Sequence, residues 1–202
     1  MDETALIRAA KRGDLDAFND LVLAYQDMLY NTAYRVLGDP GLAADATQDA
    51  FISAFKKLKS YRGGSFKAWL LRIVTNACYD ELRRQKRRPQ TPLEPMTDEG
   101  EEMQTPRWVA DPAASPEEQL ETAELDRAIQ NCIENLPPDF RAVVVLTEIQ
   151  GLDYKEAASA LKKPLGTIKS RLARARSRLR DCLQQIRELL PAAFRLEEGS
   201  AL

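Results

Sequence analysis

Six of the eleven prolines in this 202-residue chain, Pro89, Pro92, Pro95, Pro106, Pro112 and Pro116, fall between residues 89 and 118. Proline lacks a backbone donor and fixes φ, so this density blocks both helix and sheet ladders. The stretch is also acidic: residues 89–126 carry one Lys/Arg against eleven Asp/Glu, and like charges keep such a segment extended. Residues 89–118 therefore read as a flexible linker that splits the chain into two domains, 1–88 and 119–190, with a short acidic tail at 191–202. A coil of that length reaches on the order of 30 Å, which matches one turn of B-DNA, about 34 Å. A plain solubilising spacer would have the same composition.

Both flanks read as helix. From Asp14 the residues Phe18, Leu21, Val22, Tyr25, Met28, Leu29, Ala33, Val36 and Leu37 recur at i, i+3, i+4 spacing. Gly38-Asp39-Pro40-Gly41 ends that helix, and a second runs from about Leu42 to Leu58. After the loop Tyr61–Ser65 a third helix carries Phe66, Trp69, Leu70, Ile73 and Ala77 on one stripe and ends in a basic run at Arg88. The second domain begins with a helix over roughly Pro116–Asn135. Asp139 is placed to cap the next helix, and Gly151 to end it. Asp153 and Glu156 form a capping-box pattern ahead of a short helix to Leu161. A turn and a basic helix to about Leu190 follow, and this succession describes a helix-turn-helix. The fold class expected is all-α, a three-to-four-helix bundle and a helix-turn-helix domain joined by the linker.

Composition removes many chemistries. The chain has no histidine, which excludes Ser-His-Asp and Cys-His catalysis, His-ligated zinc fingers and HExxH metal sites. No glycine-rich phosphate loop or metal-ligand cluster is present, and no cofactor is expected. Cys78, Cys132 and Cys182 form no CxxC pair; an odd, sparse set reads as reduced cytosolic thiols buried in helices. No apolar run approaches a membrane span, and Met1–Lys11 lacks a signal-peptide layout.

Charge points instead to nucleic acid. The overall −2 conceals two blocks of +4, residues 1–88 and 127–202, around the acidic insert, and Glu156 to Asp181 encloses eight Lys/Arg and no acid. On the last helix Ile168, Leu172, Ala175 and Leu179 fall within about 60° of one another and face a core. Ser170, Ala173, Arg174 and Ser177 lie opposite, flanked by Lys169, Arg171, Arg176 and Arg178. Small residues at the centre admit a helix to base edges, while long cations reach phosphates and guanines. A solvated basic helix is the plainer reading, weakened because no acid in the helix forms i, i+4 pairs.

Phe140-Arg141, Gly151 through Glu156, Pro164-Leu165-Gly166-Thr167-Ile168-Lys169-Ser170-Arg171-Leu172 and Arg174-Ala175-Arg176 closely resemble region 4 of bacterial extracytoplasmic-function (ECF) sigma factors of the sigma-70 family. Asp45-Ala46-Thr47-Gln48-Asp49-Ala50-Phe51 and Trp69-Leu70-Leu71-Arg72-Ile73-Val74-Thr75-Asn76 resemble region 2. The resemblance covers about residues 5–188, in order, with the linker in place. It departs at Ala44, where many relatives have Glu, and at Ala157, where Ile is usual.

The resemblance implies a cytoplasmic transcription initiation factor that is not an enzyme, controlled by an anti-sigma factor. Region 4 would meet the polymerase flap and the −35 element through Lys169, Ser170, Arg171, Ala173, Arg174, Ser177 and Arg178. Asp45, Gln48 and Asp49, spaced i, i+3, i+4 and facing away from Phe51, Phe55 and Leu58, would meet the clamp helices of core RNA polymerase. Arg62, Ser65 and Phe66, in and beside a loop that captures a flipped base, would bind the −10 element together with Asn76, Asp80 and Arg83. Trp69, on the same edge, reads as core or as a stacking platform. Holding an unstacked base would offset the few kcal/mol that unstacking costs. The rivals are a helix-turn-helix regulator that works without polymerase, which leaves 1–88 unexplained, and a carboxylate enzyme, which has no supporting motif.

Overall fold

The computed structural model describes residues 2–87 and 116–189. The expectations for a linker at 89–118 and a tail at 191–202 lie outside the described residues, except that a helix already begins at Pro116. Among the described residues all regular structure is helical: α1 (Glu3–Lys11), α2 (Leu15–Leu37), α3 (Pro40–Lys57), α4 (Phe66–Arg87), α5 (Pro116–Glu134), α6 (Pro138–Val144), α7 (Tyr154–Leu161) and α8 (Leu165–Gln185). A 3-10 turn, Leu58–Ser60, follows α3, and a π-helical turn, Val145–Ile149, continues α6.

Local sequence sets the boundaries. Asp2, Asp14 and Asp39 cap α1, α2 and α3 by accepting from backbone N–H groups one turn on, which satisfies donors that a helix start leaves open. Helix α1 is an addition to the expected set. Gly38 (φ +79°) ends α2, and a Cβ there would lie 2.5 Å from the Glu134 carboxylate. Its left-handed backbone favours glycine, whereas the close approach is to the far end of a flexible side chain that can swing aside. Asp153 and Glu156 complete the expected capping box, and Gly151 (φ +68°) follows the π-helical turn as expected. Asp139 does not cap α6: Pro137 stands at that position with no side-chain cap bond. The Asp139 carboxylate instead bonds Arg171 of α8 at 2.5 Å. Helix α8 ends at Gln185, with a turn where the helical pattern continues.

In the first block Ala43, Ala46, Ala50 and Ala54 form a fully buried stripe on α3, spaced so that its backbone closes on α2 and α4. Phe66, Leu29, Leu70, Leu71 and Val74 fill the space between. In the second block Ile168, Leu172 and Ala175 hold α8 against α6 and α7, and Leu179 packs beside them. Ala157, one of the departures from the family pattern, is fully buried there.

The two blocks are not separate bodies on a tether. They share one continuous core, with α4 packed along α7 and α2 along α5 and α6. Backbone chemistry explains the contact. The last turn of a helix leaves its carbonyls without intrahelical partners, and the second block supplies donors to the end of α2. Gln130 Nε2 donates to Tyr34 O (3.3 Å) and Arg141 Nη1 to Val36 O (2.5 Å). Arg141 also donates to the carbonyls of Glu134 (2.5 Å) and Leu136 (3.3 Å), and its burial lowers its pKa from the usual value. Arg35 pairs with Asp126 at 3.1 Å and donates to Gln130 at 3.1 Å. Lys67 of α4 donates to Gln150 O at 2.6 Å.

The cysteine reading is corrected in part. Cys78 is a free, fully buried thiol, and burial pushes its pKa up to about 12, so it stays protonated and unreactive. Cys132 of α5 and Cys182 of α8 are bonded as a disulfide across 50 residues of sequence. Helical spacing could not foretell the pairing, because it shows which face a residue occupies and not which other helix that face meets. Without reductant, a thiol reagent should find none accessible in the native protein, one after unfolding, and three after reduction and unfolding. Cys132→Ser should lower the oxidised protein's unfolding free energy by about 2–4 kcal/mol and leave the reduced protein nearly unchanged. Equal stability of parent and variant without reductant would contradict the bond.

Candidate nucleic-acid and polymerase interfaces

The helix-turn-helix is built as its sequence suggests. Asp153 Oδ1 accepts from the N–H groups of Lys155 (2.7 Å) and Glu156 (2.8 Å), and Glu156 Oε2 accepts from Asp153 N (3.0 Å). Lys162 takes the left-handed conformation (φ 51°) that turns the chain, and α8 starts behind Pro164. Lys169, Ser170, Ala173, Arg174 and Ser177 stand exposed together on its outer face. Among the described residues Lys169 and Arg174 have no ion pair.

The other cations of α8 are braced. Arg171 is drawn to Asp139, its side chain 20% exposed. Arg176 pairs with Glu148 at 2.8 Å, and Arg178 lies over the Phe140 ring at 5.3 Å. No acid of α8 precedes Asp181; the bracing acids come from α6 and the π-helical turn. Arg171 therefore does not join the free outer face, and Arg178 is exposed but aligned by stacking.

Around the Tyr61–Ser65 loop, Tyr61 donates through its hydroxyl to Gly64 O (2.6 Å), and Lys11 donates to Tyr61 O. Gly63 (φ +96°) and Gly64 (φ +89°) make the turn. Arg62 and Ser65 are exposed, while Ser65 Oγ also accepts from Ala68 N at 3.1 Å and so caps α4. Phe66 does not face a DNA strand. It is 2% exposed and lies among Tyr25, Tyr61 and Trp69, with ring centroids at 5.6, 5.3 and 5.3 Å. At the first position of α4 its ring turns inward against α2. Trp69 is half-buried, which leaves its edge on the loop. Asn76 is exposed, and Asp80 and Arg83, also exposed, pair with each other at 2.9 Å. Arg72, absent from the expected set, lines the cleft beside Arg62 and Trp69; its only sequence signal is its place one turn from both Trp69 and Asn76.

On α3, Asp45, Gln48 and Asp49 are exposed together and line a groove against Ala77, Glu81 and Arg84 of α4. Ile52 and Phe55 are 45% and 42% exposed. Ile52 extends this face with an apolar surface. Phe55, expected on the core side, packs edge-on to Phe18 at 4.9 Å yet leaves much of its ring in solvent.

Two helical blocks with these surfaces match two known families: residues 21–88 match Sigma-70 region 2, and residues 126–179 match Sigma-70, region 4. The chain is 38% identical over 184 residues to the ECF RNA polymerase sigma factor SigW of Bacillus subtilis, covering 91% of this chain and 96% of that protein. It is 36% identical over 169 residues to the ECF sigma factor SigE of Mycolicibacterium smegmatis, covering 84% of this chain and 62% of that longer protein. Among solved structures it resembles CnrH in complex with the cytosolic domain of CnrY (TM-score 0.63, 25% identity, 90% of this chain and 96% of that one). It also resembles the sigma factor RpoE of Bartonella quintana in complex with the anti-sigma factor NepR (TM-score 0.61, 27% identity, 82% and 96%). The chain belongs to the ECF sigma factors of the sigma-70 family. It is a promoter-directing transcription initiation factor and not an enzyme.

The burial of Phe66 has a measurable consequence. Phe66→Ala should cost about 3–5 kcal/mol in urea unfolding. Unchanged stability with lost promoter opening would return Phe66 to the DNA surface.

Proposed function

We propose that residues 119–190 form the −35-reading and flap-binding domain and residues 1–88 the domain for the −10 element and the polymerase clamp. The outer face of α8 carries this reading: Lys169 and Arg174, with no ion pair among the described residues, stand beside small side chains on an exposed helix of a helix-turn-helix. Ser170, Ala173 and Ser177 let the helix approach the groove floor. Arg178 reaches the backbone from its stacked position, and Arg171 joins only when it leaves Asp139. In the first domain Arg62, Ser65, Asn76, Asp80 and Arg83 take the −10 strand, with Arg72 and the edge of Trp69 added and Phe66 acting as support. Asp45, Gln48 and Asp49 dock on the clamp helices, with Ile52 beside them.

The work takes place in the cytoplasm, where core RNA polymerase is found. No helix among the described residues is long and apolar enough to cross a membrane. The likeness to CnrH and to RpoE, each solved with a partner, supports control by an anti-sigma factor. A helix-turn-helix regulator without polymerase would leave the exposed acidic face of α3 with no role.

Two experiments test these assignments. Arg174 stands beside Ser170 and Ala173, where a planar fork can bond a base edge bidentately. Arg174→Ala should cost about 1–3 kcal/mol at one −35 base pair and relax preference there. Lys169→Ala should weaken binding at every sequence and lower the salt dependence by about one phosphate contact. A −35 substitution series, titrated with the holoenzyme at several salt concentrations, reads both. A uniform, salt-sensitive loss for Arg174→Ala would contradict the assigned rotation of the helix. Charge reversal at Asp45 and Asp49 with Gln48→Ala should leave the circular dichroism spectrum intact and abolish competition for core polymerase. Undiminished competition would remove these residues from the interface.

A further inference from the structure

Helix α1 sends one cation inward. Of the three at its end, Arg8 and Arg12 are exposed and Lys11 is half-buried. Lys11 Nζ donates to Tyr61 O and lies 5.2 Å from the centre of the Tyr61 ring. The platform beneath it is fixed. Ile7 and Ala10 bury one face of α1, and Tyr25 of α2 donates through its hydroxyl to Glu3. Gly13 (φ +102°) turns the chain toward α2, its N–H bonding Ala10 O at 3.0 Å.

Tyr61 is the residue at which the loop before α4 begins. Its N–H bonds Leu58 O at 3.1 Å, and its hydroxyl donates to Gly64 O at 2.6 Å. Its ring packs against Phe66 and Trp69, each with centroids 5.3 Å away. Lys11 supplies the partner for its carbonyl. Beyond Tyr61 the loop has little packing of its own: a Cβ at Gly63 or Gly64 would meet nothing within 4 Å, and Arg62 is exposed. Rotation of the Tyr61–Arg62 peptide would swing the Arg62 side chain, and Lys11 holds the oxygen of that peptide. A charged donor makes a stronger hydrogen bond than a neutral one, and the ring face adds to the attraction.

We propose that Lys11 is a positioning residue for promoter opening. By fixing the Tyr61 carbonyl and ring, it sets the conformation in which the loop holds an unpaired −10 base, without touching DNA itself. The proposal rests on the −10 assignment of Arg62 and Ser65 made above. Capture of a base must offset the cost of unstacking it. A loop with two glycines has much conformational freedom to lose at that step, and one ordered beforehand loses none of its binding to its own ordering.

The test uses holoenzyme assembled with the full chain, on a promoter located by transcript mapping. Templates carry one abasic site at each −10 position in turn. Permanganate reactivity reads the opening rate at saturating holoenzyme, and filter binding reads the half-saturating concentration. Lys11→Met keeps the length and apolar stem but loses the charge and the donors. It should open the intact template about tenfold more slowly, the effect of losing one charge-assisted hydrogen bond, with half-saturation nearly unchanged. At the abasic position that slows the parent most, Lys11→Met should open as the parent does, because no base is there to capture and the two changes do not add. Lys11→Arg restores the charge, a donor and a flat group for the ring, and should recover the parent's rate on every template. Equal slowing of Lys11→Met on all templates, or no recovery with Lys11→Arg, would overturn the proposal. So would a raised half-saturation at every template with a shallower salt dependence, the mark of a lost phosphate contact. Failure of the −10 assignment reads differently: Arg62→Ala would then keep the parent's full abasic penalty. If Arg62→Ala erases that penalty while Lys11→Met keeps it, the positioning role falls and the −10 assignment stands.

Discussion

The end of helix α2 holds this molecule together. A helix that stops at Gly38 leaves carbonyls that need donors, and Gln130 and Arg141 supply them from the other half of the chain. Arg141 is central because one guanidinium serves the carbonyls of Val36, Glu134 and Leu136, joining the end of α2 to the turn between α5 and α6. A buried cation is expensive unless its donors are used, and here Nε is the buried nitrogen left without a partner. With that junction made, α7 lies along α4 and the Tyr61–Ser65 loop acquires a facing wall in Glu156, Ser159 and Ala160.

Packing within the second block decides which cations of α8 are braced. Eight Lys/Arg between Glu156 and Asp181 look alike in sequence. The fold sorts five of them: Asp139 takes Arg171, Glu148 takes Arg176 and Phe140 aligns Arg178, while Lys169 and Arg174 are left outward with no ion pair among the described residues. A helix bearing only unpaired cations would bind any polyanion. Bracing some of them against α6 and the π-helical turn leaves a narrower outer face, with small residues at its centre.

The helices were legible because periodicity and capping are local. The Asp153–Glu156 box, the Gly38-Asp39-Pro40 break and the Ile168–Leu172–Ala175 stripe each act within a turn or two. Exposure of Asp45, Gln48 and Asp49 followed from the same spacing. What local pattern could not carry was every relation between distant elements. The Cys132–Cys182 bond, the partners of Arg171 and Arg176, the inward turn of Phe66 and the closure of the blocks all depend on which helix meets which. The linker composition implied independence, yet its length limits only how far apart the domains can move and does not oppose their contact. Helix α1 spans only nine residues, too few for its period to stand out, although Asp2 caps it as Asp14 caps α2.

The most direct test of the account as a sigma factor is to add the purified chain to core RNA polymerase and map the 5′ ends of transcripts made from genomic DNA. The account predicts new starts that depend on the chain, each preceded by two short shared sequence elements at nearly constant spacing. One element should be read as duplex by region 4 and the other as an opened strand by region 2. No new starts, or starts sharing a single element that the chain binds equally well without polymerase, would contradict it.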